Sequence, residues 1–355
     1  MPLSVVCLNR LTNMVGAGPK SRKLPYLFAL TLVPLVLSLV GDTNDIRERI
    51  DRTIEAHPEI EMDGDAGLSR DGLLSALPER RIEGAHLSAG SWLHWLYALA
   101  AAAMFWGVIL ALFERGEATP RQLLAIGART ATVGILLLLG FQLLAGMAQG
   151  LWMRGGGLLM LVFYIIKFIG FSYEAAFDPQ NGFWVSFLGF TLGVGLCEEF
   201  VKALPLYLKV RRGERLSWRA ACVLGLASGV GFGVAEGIMY AGGHYNGIAK
   251  LDLYFVRFLS CVALHAIWTA SVALVLWHNK KLVGGDLDWA NWIVGAMKVQ
   301  GVPMFLHGLY DTALKRDLNL PALVFAIASF GWLAYLLACS RASDPVAKRA
   351  RFATT

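Results

Sequence analysis

Long uncharged stretches divide this sequence. Leu24 to Gly41, Trp92 to Phe113, Thr130 to Trp152 and Phe258 to Trp277 contain no Asp, Glu, Lys or Arg. Each is about 18 to 23 residues, the length at which a helix crosses a ~30 Å hydrocarbon layer while satisfying its own backbone. Less pure apolar runs bring the candidate spans to nine: 24–41, 92–113, 123–147, 155–172, 183–208, 220–242, 254–277, 289–311 and 320–339. The pattern predicts an all-α polytopic membrane protein of eight or nine transmembrane helices. The weakest candidate is 155–172, which follows Arg154 and three glycines and contains Lys167; it is expected to be re-entrant or interfacial.

One hydrophilic segment interrupts the series. Residues 42–91 hold twelve acids against six arginines, and Ile46–Ile60 has the makings of a short helix limited by Pro58. This segment reads as a small acidic cap outside the membrane. Basic residues orient the rest. The N-terminal segment, Lys209 to Arg219, Lys280–Lys281 and the tail with Lys348, Arg349 and Arg351 place those regions, and both termini, in the cytoplasm. Two cytoplasmic termini require an even number of crossings, which favours eight. The expected organisation is a cytoplasmic segment 1–23, an anchor 24–41, the cap 42–91 and accessory helices 92–182. A core 183–315 and a last helix with its basic tail, 316–355, complete it.

Composition adds exclusions. The chain is 56% apolar and 16% charged, with a net charge of +6. That charge belongs to topology, because no basic, aromatic-interleaved soluble domain exists to bind nucleic acid. The bilayer is the implied partner, and no oligomeric state follows from the pattern. Five cysteines without CxxC spacing indicate neither a disulfide framework nor a thiolate zinc site. The first span has no clear small-x-small cleavage site, so a retained anchor is expected rather than a signal peptide.

Four consecutive spans nevertheless carry ionisable groups, each of which costs about 2.5–3.5 kcal/mol in a bilayer even on a lenient scale. They are Glu198, Glu199 and Lys202; Glu236, followed by Tyr240; His265; and His307 with Asp311. At ~100° per residue, Glu198 and Lys202 share a helix face, as do His307 and Asp311, whereas Glu198 and Glu199 diverge. At ~1.5 Å per residue, estimated depths from the basic end are roughly 15–20 Å for Glu198 and 18 Å for His265. Glu236 falls at about 24 Å and His307 at 22–27 Å, so all four could meet. Each residue also has a plainer reading. Glu198–Lys202 could be a structural ion pair, and His265 or Glu236 an interhelical hydrogen-bond partner. Joint occurrence on four successive spans argues against four separate accidents.

Such a set suits water activation. A desolvated carboxylate can take a proton from water, and imidazoles can donate to the oxyanion formed at an attacked carbonyl. Alternatively, His265, His307 and Glu236 could bind Zn²⁺ with another carboxylate as base. HExxH is absent. Gly229–Phe232 lies within a span, where glycines permit close helix packing.

The order EExxK at Glu198–Lys202, FxxxE followed by a tyrosine at Phe232–Tyr240, His265 in an H-A-x-W-T context and HGLYD at His307–Asp311 resembles the PrsW family. These are multi-pass membrane proteases distantly similar to the CAAX prenyl protease and Abi group. The likeness covers roughly 185–315. It implies a helical core around a polar cavity in a bacterial plasma membrane, with Glu198, Glu199, Lys202, Glu236, His265, His307 and Asp311 at its heart. Arg257 is a further candidate. The family's best-known role is cleavage of a membrane-anchored anti-sigma factor. One departure is Gly237, where the pattern leads one to expect asparagine. The resulting expectation is an intramembrane endopeptidase acting on a membrane-anchored protein. Its water would be activated by Glu198 or Glu199, and Asp311 would orient His307. The alternatives are a proton- or cation-coupled transporter and a non-catalytic scaffold that binds a membrane helix.

Overall fold

The computed structural model describes residues 24–40, 46–58, 70–112 and 118–343. The basic N-terminal segment, part of the acidic segment and the tail with Lys348, Arg349 and Arg351 lie outside these. Among the described residues the chain is helical, with no strand. In order come α1 (Leu24–Val40), α2 (Ile46–Ala56), α3 (Arg70–Ala76) and α4 (Leu93–Leu112). Then follow α5 (Pro120–Gln149), α6 (Leu158–Phe177), α7 (Phe183–Arg211), α8 (Trp218–Tyr245) and α9 (Leu251–His278). Two long helices complete the series, α10 (Trp289–Lys315) and α11 (Asn319–Ser343). Seven of these are long and apolar enough to cross a membrane: α4 to α9 and α11. The 27-residue α10 has the length but carries Lys298, Gln300, His307 and Asp311, and α1 is the shorter apolar helix.

Glycine spacing explains the centre of the bundle. Gly225, Gly229 and Gly233 recur every four residues on α8 and face α9. A Cβ there would lie 2.8 Å from Ala270 Cα, 2.6 Å from Ala266 Cα and 2.9 Å from Val262 Cα respectively. Lipid tails are as apolar as the side chains, so helices associate through close packing, and glycine lets these two backbones touch. Gly231 faces the opposite way, against the backbone of Gly127 on α5. The predominantly apolar circumference of α9 follows from its place, since most of its side chains are enclosed.

Contacts between helices give their relative directions. α5 runs antiparallel to α7: Gly134 abuts Val201 and, a turn further along, Leu138 shares a cluster with Cys197. α10 is also antiparallel to α7, with Arg211 over the Trp289 ring at one end and Lys315 bonded to the Ala176 and Asp178 carbonyls at the other. The end of α5 and the start of α7 therefore lie on the same side of the bundle. α6 joins them as an excursion. Residues 150–157 double back along it, with Lys167 Nζ donating to the Leu151 carbonyl and Tyr164 Oη to that of Met153. At 20 residues the helix is longer than the apolar run suggested, and it is itself long and apolar enough to cross a membrane.

The described parts of the acidic segment pack together. α2 ends at Ala56, just ahead of Pro58, and α2 and α3 share a small core of Ile50, Ile54, Leu73, Leu74, Leu77 and Ile82. Ile248, in the turn between α8 and α9, completes that core. Arg49 fixes the junction, donating to the Glu83 carbonyl and, at 2.8 Å, to that of Ile248.

Candidate active site

Four helices deliver the polar residues to one place. α7 widens at Phe190–Gly195 into a turn with i→i+5 bonding, and Glu198, Glu199 and Lys202 follow on the next turns. α9 has a similar wide turn at Val256–Cys261, which holds Arg257 about two helical turns before His265. Such turns relax the helix ladder and are common beside functional sites. α8 supplies Glu236 and α10 supplies His307 and Asp311. Every residue expected from the sequence is present in the same cluster.

Lys202 is its hub. The side chain is fully buried, and Nζ lies 2.7 Å from Glu199 Oε1, 3.6 Å from Glu198 Oε2 and 2.8 Å from His265 Nδ1. The two glutamates diverge as helix geometry requires. Glu199, 0% exposed, carries two partners on one oxygen, because its Oε1 also accepts from His307 Nδ1 at 2.9 Å. Glu198 has an oxygen without a hydrogen-bond partner, Oε2, 3.7 Å from His307 Nε2.

The histidines are positioned from their far nitrogens. An ammonium flanked by carboxylates donates to His265 Nδ1, so the ring proton is assigned to Nε2, which lies 2.6 Å from Glu236 Oε2. His307 is the reverse. Its Nδ1–H goes to Glu199, and Nε2 faces Asp311 Oδ2 at 3.2 Å. Asp311 and Glu236 are the partly exposed members of the cluster, at 24% and 12% of their side chains, and mark the side from which it is reached.

Arg257 pairs with Glu236 Oε1 at 2.6 Å and stacks over the Tyr240 ring at 3.9 Å from its centroid. This explains why a tyrosine follows the glutamate by one helical turn. Gly237, where asparagine was expected, packs on Phe258; even a Cβ there would meet Phe258 Cε1 at 2.8 Å.

The sequence reading passed over the residues that brace the histidines. Trp268 stacks on the His307 imidazole, with ring centroids 4.3 Å apart and planes 20° apart, and meets His265 edge-on. Its indole N–H donates to Ser329 Oγ on α11 at 2.9 Å. Ser228 Oγ donates to the Lys202 carbonyl at 2.6 Å and lies 2.7 Å from Thr130 Oγ1. One signal was available. Tryptophans belong at span ends, whereas Trp268 sits in mid-span, three residues after His265.

The charges do not balance. Glu198, Glu199, Glu236 and Asp311 face two permanent cations, Lys202 and Arg257, leaving two formal negative charges in a buried cluster. Protons on the histidines or a divalent cation would neutralise them. Among the described residues, the group able to hold a metal ion is Glu198, His265 and His307, whose ligand atoms lie within 4.8 Å of one another. The expected set had Glu236 in place of Glu198, but Arg257 engages Glu236. The unpartnered Oε2 of Glu198 fits a cation at that point. So does the Glu199–His307 contact, since a carboxylate on the far nitrogen is the usual support for a ligating imidazole. His265 fits once Lys202 releases its Nδ1 and the ring proton moves there.

Comparison with known proteins agrees with the motif order. The profile of the PrsW family of intramembrane metalloproteases matches residues 147–338, beyond both ends of the stretch that carries the motifs. No curated protein and no solved structure matches the chain. A polar cluster drawn from four membrane helices and a family match over more than half of the sequence lead to one conclusion: this multi-pass membrane protein belongs to the PrsW family of intramembrane metalloproteases.

Proposed function

We propose that the cluster hydrolyses a peptide bond of a membrane-anchored protein, with Glu198, His265 and His307 holding a zinc-class cation. The observation that carries this reading is the convergence of those three residues on one point inside a buried, acid-rich cluster. A cation bound there would polarise the scissile carbonyl and raise the acidity of the attacking water. Its donor set, two imidazoles and a carboxylate, suits zinc.

The remaining roles belong to the protein. Arg257 holds Glu236 Oε1, and once His265 Nε2 serves a cation instead of facing Glu236 Oε2, that oxygen would be released to accept the water's proton and return it to the leaving amine. Glu199 fixes the His307 tautomer, and Trp268 fixes the plane of its ring. Lys202 keeps Glu199 ionised through the cycle. The substrate enters from the side marked by Asp311 and Glu236.

A second reading has support in the Lys202–His265 contact. With His265 Nδ1 accepting from Lys202, Nε2–H is a donor, and Glu198 would serve as the base without a metal while both histidines donate to the oxyanion. One experiment separates the two. Purified wild type, Glu198→Gln and Glu236→Gln are reconstituted with a membrane-anchored reporter, and cleavage and zinc content are measured. The metal reading expects zinc in wild type and Glu236→Gln, zinc lost from Glu198→Gln, and no cleavage by either variant. Cleavage by a zinc-free wild type with loss in Glu198→Gln selects the second reading. Full cleavage by both variants would overturn peptidase action at this cluster. By the positive-inside rule, the basic loops at 209–219 and 280–281 support a cytoplasmic placement of that end of the bundle.

A further inference from the structure

We propose that the basic end of the bundle carries a binding pocket for a phosphate-bearing anion, filled in place by an anionic phospholipid headgroup. Two loops that are distant in sequence build it, residues 212–217 between α7 and α8, and 279–288 between α9 and α10. Trp277 Nε1 and Lys280 Nζ both donate to the Leu216 carbonyl, at 3.1 and 3.4 Å, and hold the loops together. Between them lies a pocket of about 510 Å³, with Gly213, Arg215, Lys280, Lys281, Gly284 and Asp286 among its lining residues. That size falls within the roughly 300–1,000 Å³ of small-ligand sites.

The charge inside is unbalanced. Glu214, also on the wall, is taken by Lys209 at 2.6 Å. Among the described residues, neither Arg215 nor Lys281 has a carboxylate within 4.0 Å, so three cations face the single remaining acid, Asp286. Topology alone requires basic residues in these loops, but it does not require them to converge on one concavity from two loops. Depth gives an independent pointer to lipid. Arg211 lies over the Trp289 ring at 4.1 Å, and Trp289 is 61% exposed beside the pocket. Tryptophans of this kind sit at headgroup level, and basic pockets between helices at the cytoplasmic face bind anionic headgroups. The pocket also spans the ends of α7 and α10, the helices that carry Glu199 and His307, so an occupant would brace the cluster from one end.

The test uses full-length protein in nanodiscs of phosphatidylcholine with a minor fraction of phosphatidylglycerol. Retained phosphatidylglycerol is counted by native mass spectrometry after release into neutral detergent. Wild type is expected to retain it in preference to phosphatidylcholine. Each cation removed should weaken retention about fivefold, and Arg215→Gln with Lys281→Gln together roughly thirtyfold. Arg215→Lys with Lys281→Arg keeps the charge and should restore retention, and protease accessibility of the loops checks that topology is unchanged. Inorganic phosphate is then titrated at constant ionic strength. Displacement of the lipid at millimolar phosphate supports the pocket with a soluble anion as its source, and persistence of the lipid supports the headgroup. Equal retention by wild type and the double Gln variant, with topology intact, would overturn the proposal and leave the cations a purely topological role.

Discussion

Lys202→Met tests whether the cluster is the ion-paired network described. Methionine keeps nearly the same length and can remain against the Phe232 ring, 4.8 Å from Lys202 Nζ, so packing is largely spared and the charge is what is lost. At an effective dielectric of about 20, the contacts at 2.7 and 3.6 Å with Glu199 and Glu198 correspond to ~6 and ~5 kcal/mol of gross attraction. Carboxylates left behind can recover part of this by taking protons. Removing one partner of a buried pair costs about 3–5 kcal/mol, and that is the expected loss of stability. Reversible unfolding by sodium dodecyl sulfate in mixed micelles measures it. A Glu199→Gln change in the same background supplies the control, because glutamine still accepts from His307 Nδ1 while removing the orphaned charge. The double variant should be more stable than the sum of the single losses by up to about 3 kcal/mol. A loss below about 1 kcal/mol for Lys202→Met, or a cycle with no coupling, would refute the argument, since it would mean that the ammonium is solvated in the folded protein.

Other consequences follow from the same geometry. Gly229→Ala places a methyl group against the α9 backbone at His265 and Ala266, and should destabilise the bundle by about 1–3 kcal/mol, read by the same unfolding assay, and cut cleavage sharply by moving His265. Ser329→Ala removes the acceptor of the Trp268 indole and should cost about 1 kcal/mol of stability, with kcat lowered and KM unchanged because the residue acts only through His307. Glu199→Gln alone should weaken zinc binding about 10–100-fold in a chelator competition, as expected when the support of a ligating imidazole is lost. Arg49→Ala should leave cleavage of a short membrane peptide intact while exposing the cap to protease, since Arg49 ties α2 to the carbonyls of Glu83 and Ile248.

Much of this was legible along the chain because the bilayer is a strict solvent. Backbone groups that must be satisfied within each span, and charges that cost several kcal/mol there, make spans and intruding residues visible without knowledge of any contact. Helix periodicity alone separated Glu198 from Glu199 and joined Glu198 to Lys202, while the closer Glu199–Lys202 contact emerged only in the folded helix. The estimated depths differed by about 6 Å between His265 and Glu236, yet these residues touch, because helix ends are staggered and tilted in ways that counting residues misses. Partnership between helices was decided only by the folded bundle. Glu199 rather than Asp311 holds His307 Nδ1, Arg257 claims Glu236, and Glu198 therefore joins the two histidines. Ser329 and Ser228 were not legible, and Trp268 only as a tryptophan out of place in mid-span, since their roles depend on which helix faces which. The sequence determined that these spans exist and what must be buried within them. Which buried charge meets which was decided by rotation and stagger of the packed helices, set by glycine contacts such as Gly229 on Ala266 that carry no polar signature of their own.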